Sequence, residues 1–236
     1  MRDMHSHIMY GVDDGSRSLE ESIELLNEQE KKGITDIILT PHYIENTNYT
    51  CDISRKNDII RELKKYTNIN LYTGNEVYIT ENIKELLDNG KISTLNNSRY
   101  LLIELPMNNK IVDVESILYE LIRINIVPII AHPERYSYVQ KDIRYLDSLK
   151  DIGVLFQGNY ESLFGKYGTG AKKTLKRLIK LDYITFLGSD MHRLGYEYHQ
   201  NKLERKLLRL TRNKDKVSDL IDSNIFKVIN NEEIEE

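Results

Sequence analysis

At 236 residues and a net charge of −4, with 40% hydrophobic and 30% charged residues, the chain has the balance of an ordinary globular protein long enough to bury one full core. The weak acidity excludes the clustered Lys and Arg of a nucleic-acid binder, the single cysteine, Cys51, excludes an internal disulfide, and the composition shows no excess of Pro, Gly or Ser marking a disordered arm. No apolar stretch approaches the roughly 18 residues of a membrane span, and Met1-Arg2-Asp3-Met4-His5 lacks the basic start and apolar run of a secretion signal, so the expected location is the cytoplasm.

Short apolar, β-branched runs alternate with stretches of helical periodicity, a pattern of βα units around a parallel sheet. The opening residues 1–4 predict a strand, followed by His5-Ser6-His7 and the loop Asp13-Asp14-Gly15. Ser18-Leu19-Glu20-Glu21 has capping-box spacing and predicts a helix ending near Gly33. Strands follow over residues 35–40 and 70–72, just before His42 and Glu76. Thr80 is placed to cap a helix stopping near Gly90, and Asp113 one running to Asn125. The strand over 100–105 contains Glu104, and the strand over 127–131 is followed by His132. Helices over 141–152, 170–181 and 202–212 and strands over 153–156 and 184–187 complete the alternation, with Asp190 and His192 after the last strand. The acidic tail over 230–236 reads as frayed, and no linker divides the chain, so residues 1–236 are expected to be one domain.

The histidines and their neighbouring carboxylates therefore fall at, or just past, the C-terminal ends of strands, about one βα unit apart. In a parallel barrel those positions converge on one rim, the face that carries chemistry. Five of the six histidines land there, and only His199 does not. Any one of them taken alone is more economically a hydrogen-bonded structural residue. The pairs His5-x-His7 and Asp190-x-His192 change that weighing, because a period of two sends both members of each pair to one side. Such polar groups gathered without a partner would carry desolvation costs.

Imidazole and carboxylate without thiolate suits manganese, iron, zinc or, less well, magnesium. Nine candidates (His5, His7, Asp14, His42, Glu76, Glu104, His132, Asp190 and His192) are too many for one ion and fit a cluster of two or three. Asp13 competes with Asp14 for the loop ligand. Three divalent ions bring about +6 against about −4 from four carboxylates, so the pocket would be cationic in an acidic protein and would attract phosphate. Arg135, three residues after His132, is placed to hold phosphate oxygens, the competing use being an ion pair with Glu134. The expected reaction is phosphoester hydrolysis by metal-activated water. A phenol, leaving with a pKa near 10, would need less general-acid help than an alkyl alcohol. A thiol phosphatase needs an arginine six residues after its cysteine, whereas Cys51 is followed there by Asn57, which marks Cys51 as incidental.

The order His-x-His, Asp, His, Glu, Glu, His, Asp-x-His is similar to that of PHP (polymerase and histidinol phosphatase) domains. Asp3-Met4-His5-Ser6-His7-Ile8, Val12-Asp13-Asp14-Gly15, Thr94-Leu95-Asn96-Asn97-Ser98-Arg99-Tyr100, Ile130-Ala131-His132-Pro133-Glu134-Arg135-Tyr136 and Gly188-Ser189-Asp190-Met191-His192 resemble the capsule-type, manganese-dependent tyrosine phosphatases of Gram-positive bacteria. The resemblance runs from residue 1 to about residue 230. It implies an α/β fold, a distorted (β/α)7 TIM-like barrel with a trinuclear metal centre. It implies His5, His7, Glu76 and Asp190 on one ion, Glu76, Glu104 and His132 on a second, and Asp14, His42 and His192 on a third. Arg135, His42 and Asp190 are the residues it assigns to the chemistry, Arg135 as the phosphate binder. The implied substrate is phosphotyrosine on a bacterial tyrosine kinase that governs capsular and exopolysaccharide synthesis. One departure is the second arginine that such proteins carry after a glycine beyond the last histidine: here Gly195 is followed by Tyr196 and Glu197, leaving Arg193 as a substitute.

Three rivals stand beside this expectation. A small-molecule phosphatase acting on an ester such as histidinol phosphate would use the same metals. A proofreading exonuclease would need a basic groove, for which the sequence offers no cluster of charge. An inert barrel serving binding or regulation would be expected to have lost ligands, and the set is complete.

Overall fold

The structure is a computed structural model and describes residues 1–196 and 198–234; the expectation of a frayed tail therefore falls partly, at Glu235 and Glu236, outside the described residues. Among the described residues nine strands run in chain order: β1 (Arg2–Asp3), β2 (Asp36–Leu39), β3 (His42–Tyr43), β4 (Asn70–Thr73), β5 (Glu76–Tyr78), β6 (Tyr100–Glu104), β7 (Val127–Ala131), β8 (Leu155–Asn159) and β9 (Phe186–Gly188). All pair in parallel, as β1-β2-β4 and as β3-β5-β6-β7-β8-β9. β3 continues the line of β2 after Thr40-Pro41, and β5 that of β4 after Gly74-Asn75, so the nine strands occupy seven positions. A parallel bridge between Ser6 and Met191, with Asp190 N–H donating to the His5 carbonyl at 2.8 Å, brings the first and last positions together. This is the distorted seven-position α/β arrangement that the sequence predicts.

Helices α1 (Leu19–Lys31), α2 (Ile53–Leu63), α3 (Ile83–Asp88) and α4 (Val114–Arg123) follow the early strands. The later ones are α5 (Ser137–Lys141), α6 (Asp147–Asp151), α7 (Tyr160–Phe164), α8 (Gly168–Lys180), α9 (Gln200–Thr211), α10 (Lys214–Ser218) and α11 (Asn224–Ile229). Among the described residues no helix is long and apolar enough to cross a membrane. Ser18 caps α1 as its spacing predicts, its hydroxyl accepting from Glu21 N–H at 3.3 Å. Elsewhere the local signals mislead. The helix expected over 141–152 is broken, because extended Asp142 stops α5 and turns its carboxylate to the Arg144 N–H. Thr80 caps no helix: its hydroxyl donates to Glu45 and accepts from Asn82 N–H. Asp113 stands before α4 in a left-handed conformation and makes no side-chain cap bond. Helix α2 was not anticipated at all; Lys56, Ile59, Ile60 and Leu63 form its buried face, and a lysine there obscures the apolar stripe.

The interior of the ring has two storeys. Tyr100, Leu102, Ile129, Leu155 and Phe186 pack with Ile38 in an apolar layer closed by Ile225, Val228 and Ile229 of α11. Moving up each strand by two keeps the side chain pointing inward, and the same inner face then becomes polar: Ile38 leads to His42, Leu102 to Glu104, Leu155 to Gln157 and Asn159, and Phe186 to Asp190. His132 is out of step with Ile129 and Ala131. It enters the ring through a left-handed backbone (φ 34°), a conformation costly for a side chain of this size.

At the strand breaks the ammonium of Lys56, wholly buried, donates to the Gly74 carbonyl (3.2 Å), Asn75 Oδ1 (2.6 Å) and Ser93 Oγ (2.5 Å). Asn75 in turn donates to the Pro41 carbonyl at 3.1 Å, tying both breaks together. Lys56→Ala would remove the buried donor shared by the Gly74 carbonyl, Asn75 Oδ1 and Ser93 Oγ and leave a cavity; it is expected to lower the unfolding free energy by about 3 kcal/mol, against about 1 kcal/mol for Ser18→Ala, in urea denaturation.

Candidate metal centre

The site is built around Glu76, the first residue of β5, whose carboxylate is fully buried. Its Oε2 lies 3.2 Å from His5 Nε2, 3.2 Å from His7 Nε2 and 3.1 Å from His42 Nδ1, and its Oε1 lies 2.9 Å from His132 Nε2. Asp190 Oδ1 closes the far side at 3.6 Å from His5, 3.5 Å from His7 and 3.3 Å from His192 Nδ1. Asp14 Oδ1 stands 3.6 Å from His42 Nε2 and 3.3 Å from His192 Nε2, and Glu104 lies 3.7 Å from His132 and 3.9 Å from His42. All nine sequence-predicted candidates thus meet in one pocket at the C-terminal ends of the strands. Exposed His199, which precedes α9, belongs to none of the groups gathered there.

Three sets of donors lie close enough to share an ion: His5, His7, Glu76 and Asp190; His7, Asp14, His42 and His192; and His42, Glu76 and Glu104. The first coincides with an expected set. The second adds His7 to its expected partners, and the third contains His42 while His132 stands at its edge. His42 presents Nε2 toward Asp14 and Nδ1 toward Glu76 and Glu104, so it faces two sets at once.

The electrostatics show an arrangement of acids in want of positive charge. Burial would raise the Glu76 carboxyl, but the charges of His5 and His42 and the hydrogen bond from His132 prevail and hold it well below the usual range. Asp190 is likewise lowered against its burial by His5, His192 and Arg135. Glu104 is pushed up to about 8 by burial and by the charges of Glu76 and Asp190, which outweigh the opposing charges of Arg135 and His7. Burial and the Arg135 charge bring His132 down to about 4, which keeps the ring neutral and its lone pair available.

Several residues outside the predicted set fix the rings. His7 Nδ1–H donates to Asp13 Oδ2 at 2.8 Å, His5 Nδ1–H to Gln157 Oε1 at 2.8 Å, and His192 Nδ1–H to the Asp190 carbonyl at 3.0 Å. Asp13 also accepts from His42 N–H (2.9 Å) and Gly15 N–H (2.8 Å), so it faces inward to orient while its neighbour Asp14 faces the pocket. At Gly15 the packing is tight: a Cβ there would sit 2.1 Å from the His7 carbonyl. Arg135 pairs with Asp190 Oδ2 at 2.7 Å, to which Asn159 also donates at 2.7 Å. The alternative partner Glu134 is instead engaged by Ser162 Oγ and Asn159 N–H. Gln157 and Asn159 were legible only as polar residues inside an otherwise apolar strand. Arg193 donates to the carbonyls of Gly15 and His192, which ties it to backbone. Half-buried Cys51 lies outside every donor group.

Residues 1–230 match the family described as capsular polysaccharide synthesis, CpsB/CapC. The chain belongs to this family. It is 38% identical over 197 residues to the putative tyrosine-protein phosphatase CapC of Staphylococcus aureus, covering 81% of this chain and 77% of that protein. It is 34% identical over 203 residues to the tyrosine-protein phosphatase CpsB of Streptococcus pneumoniae, covering 82% and 84%. Solved structures described as YwqE from Bacillus subtilis and CpsB from Streptococcus pneumoniae, unique metal-dependent tyrosine phosphatases, are similar at a TM-score of 0.89 and 26% identity over 100% of this chain and 96% of theirs. The organophosphorus hydrolase of Deinococcus radiodurans, at 13% identity and a TM-score of 0.55 over 98% of this chain and 90% of that one, shares the fold alone.

The donor set of this CpsB/CapC-family chain fits divalent cations. With both Nδ1–H groups committed to Gln157 and Asp13, His5 Nε2 and His7 Nε2 point inward, 3.1 Å apart and each 3.2 Å from Glu76 Oε2, the atoms a shared ion would take. His42 Nδ1 and Glu76 Oε2, 3.1 Å apart, are buried without a hydrogen-bond partner, a costly condition that a coordinated ion there would relieve. Asp13→Ala is expected to weaken Mn2+ binding about 10–100-fold in calorimetry while the fold persists. Mn2+ at about 100-fold over its Kd should stabilise the wild type by about 2.7 kcal/mol, raising the melting temperature above that of chelator-treated protein.

Proposed function

We propose that the chain is a metal-dependent protein-tyrosine phosphatase acting on phosphotyrosine of a bacterial tyrosine kinase that regulates capsular or exopolysaccharide synthesis. The observation that carries this reading is the convergence of five imidazoles and four carboxylates on the rim, with the Arg135 guanidinium beside them on Asp190. Family membership and the tyrosine-phosphatase names of CapC and CpsB support the substrate class. In this reading residues 1–236 act as one cytoplasmic phosphoesterase domain, and manganese, in two or three ions, is the resident metal.

His5, His7, Glu76 and Asp190 would hold one ion, Glu76, Glu104 and His132 a second, and Asp14, His42 and His192 a third, with His42 and His7 close enough to be shared. Divalent cations bound there supply a water of lowered pKa and neutralise phosphoryl oxygens. The protein's own groups do the rest. Asp13 and Gln157 hold the Nδ1 sides of His7 and His5 and leave each Nε2 aimed inward. Against its burial, the Asp190 carboxylate keeps Arg135 cationic, with guanidinium donors at the pocket edge for the phosphoryl group. His42 belongs to two of the donor sets, and Asp190 joins the Arg135 guanidinium to the first. A phenolate leaves with less need of a proton donor than an alkoxide does, which favours an aryl over an alkyl ester.

Chelation is expected to abolish hydrolysis of a phosphotyrosine peptide, and added Mn2+ to restore it. Histidinol phosphate should turn over more slowly than the peptide; a faster rate would identify a small-molecule phosphatase instead. His132→Ala should lower kcat at least about 1000-fold with circular dichroism unchanged, whereas Arg135→Ala should act chiefly by raising KM.

A further inference from the structure

Two cations stand on aromatic rings along the same side of the pocket. The guanidinium of Arg135 lies 4.5 Å above the Tyr167 ring, and the Lys166 ammonium lies 3.2 Å above the Tyr196 ring. The rings are joined to the site itself: Tyr196 Oη donates to the Asp190 carbonyl at 2.6 Å and accepts from His192 N–H at 3.2 Å. Tyr167 and Tyr196 are hydrogen-bonded to each other. Lys166 senses both Asp190 and Arg135 electrostatically, which places it in the field of the pocket although its side chain is exposed.

The backbone that presents this pair is tightly specified. Lys166 and Tyr167 lie between Gly165 (φ 97°) and Gly168 (φ 87°), two left-handed positions that glycine adopts without strain. Lys166 N–H donates to the Glu161 carbonyl at 3.2 Å, and Gly168 N–H to the Gly165 carbonyl at 3.0 Å, so the short segment between α7 and α8 is pinned at both ends. An exposed cation–π contact contributes only about 0.5–1 kcal/mol, weak enough for the long lysine stem to swing off the ring toward an anion.

A phosphoryl group offers several anionic oxygens, while Arg135 already commits one N–H to Asp190. Arg193, the nearest alternative after His192, has its Nη1 held by the Gly15 and His192 carbonyls. We propose that Lys166, held on Tyr196 beside the Arg135–Tyr167 pair, is the second phosphate-binding cation of the site and contacts a phosphoryl oxygen of the substrate. This rests on the phosphatase reading for its substrate, but its anion chemistry can be measured separately.

The test compares wild type, Lys166→Gln and Lys166→Arg in the Mn2+-loaded full chain. Calorimetry with inorganic phosphate, and KM for p-nitrophenyl phosphate and for phosphotyrosine peptides with neutral or acidic flanks, are the readouts. Lys166→Gln is expected to weaken phosphate binding and raise KM about tenfold for all three substrates, the worth of one charge-assisted contact, while Lys166→Arg stays within about threefold of wild type. Unchanged phosphate affinity in Lys166→Gln overturns the proposal. So does a defect confined to the acidic-flanked peptide, which would make Lys166 a reader of the surrounding protein. Should the wild type hydrolyse no phosphotyrosine, the phosphatase reading falls, while the difference in phosphate affinity still decides the role of Lys166.

Discussion

The rest of the structure depends on one buried carboxylate. Glu76 is withdrawn from water, and four imidazole nitrogens lie within 3.2 Å of its two oxygens. An ionised carboxylate in such a place is tolerable only where positive charge is gathered around it. The imidazoles that surround it are His5 and His7 after β1, His42 on β3 and His132 after β7, charged or donating a hydrogen bond, so satisfying Glu76 requires the strands carrying them to be in register. Folding and site assembly are the same event here, and a divalent ion that bound this cluster would stabilise the whole ring.

The fold accommodates so many polar groups by dividing the interior. The lower storey, from Ile38 and Leu102 to Phe186 and the plug from α11, is apolar and provides the burial that offsets chain entropy. The upper storey spends part of that stability on orientation. Asp13 and Gln157 fix two rings from behind, Asn159 fixes Asp190, and Gly15 lets the Asp13 loop lie against the His7 backbone. Left-handed His132 and Asp190 are local strain retained where direction matters more than conformational comfort. Lys56 performs a comparable duty away from the pocket, joining the two strand breaks that precede His42 and Glu76.

Seen from the solvent, the same rim reconciles an acidic protein with an anionic substrate. The net charge of −4 is spread over the whole chain, whereas Arg135 and Lys166 are concentrated along one side of the pocket on a pair of tyrosines. Short-range charge placement, rather than overall sign, governs what approaches such a site in screening salt.

The sequence by itself determined the alternation of strands and helices, the placement of nine donors at strand ends and the capping of α1 by Ser18, because those follow from periodicity and local hydrogen bonding. It misjudged residues 141–152, where Asp142 prefers its own turn to the helix ladder, and it missed α2, whose buried face includes a lysine that only a tertiary partner can satisfy. The choice between Asp13 and Asp14 was likewise beyond it: adjacent carboxylates of equal chemistry are separated only by which one meets the His7 ring and the His42 amide. Tertiary structure also decided that Gln157 and Asn159 serve the site, that Arg193 is tied to backbone, and that Lys166 reaches a tyrosine 30 residues away in sequence. Period and composition report what each residue can do with its near neighbours, whereas these roles are set by distances between segments that meet only when the ring forms.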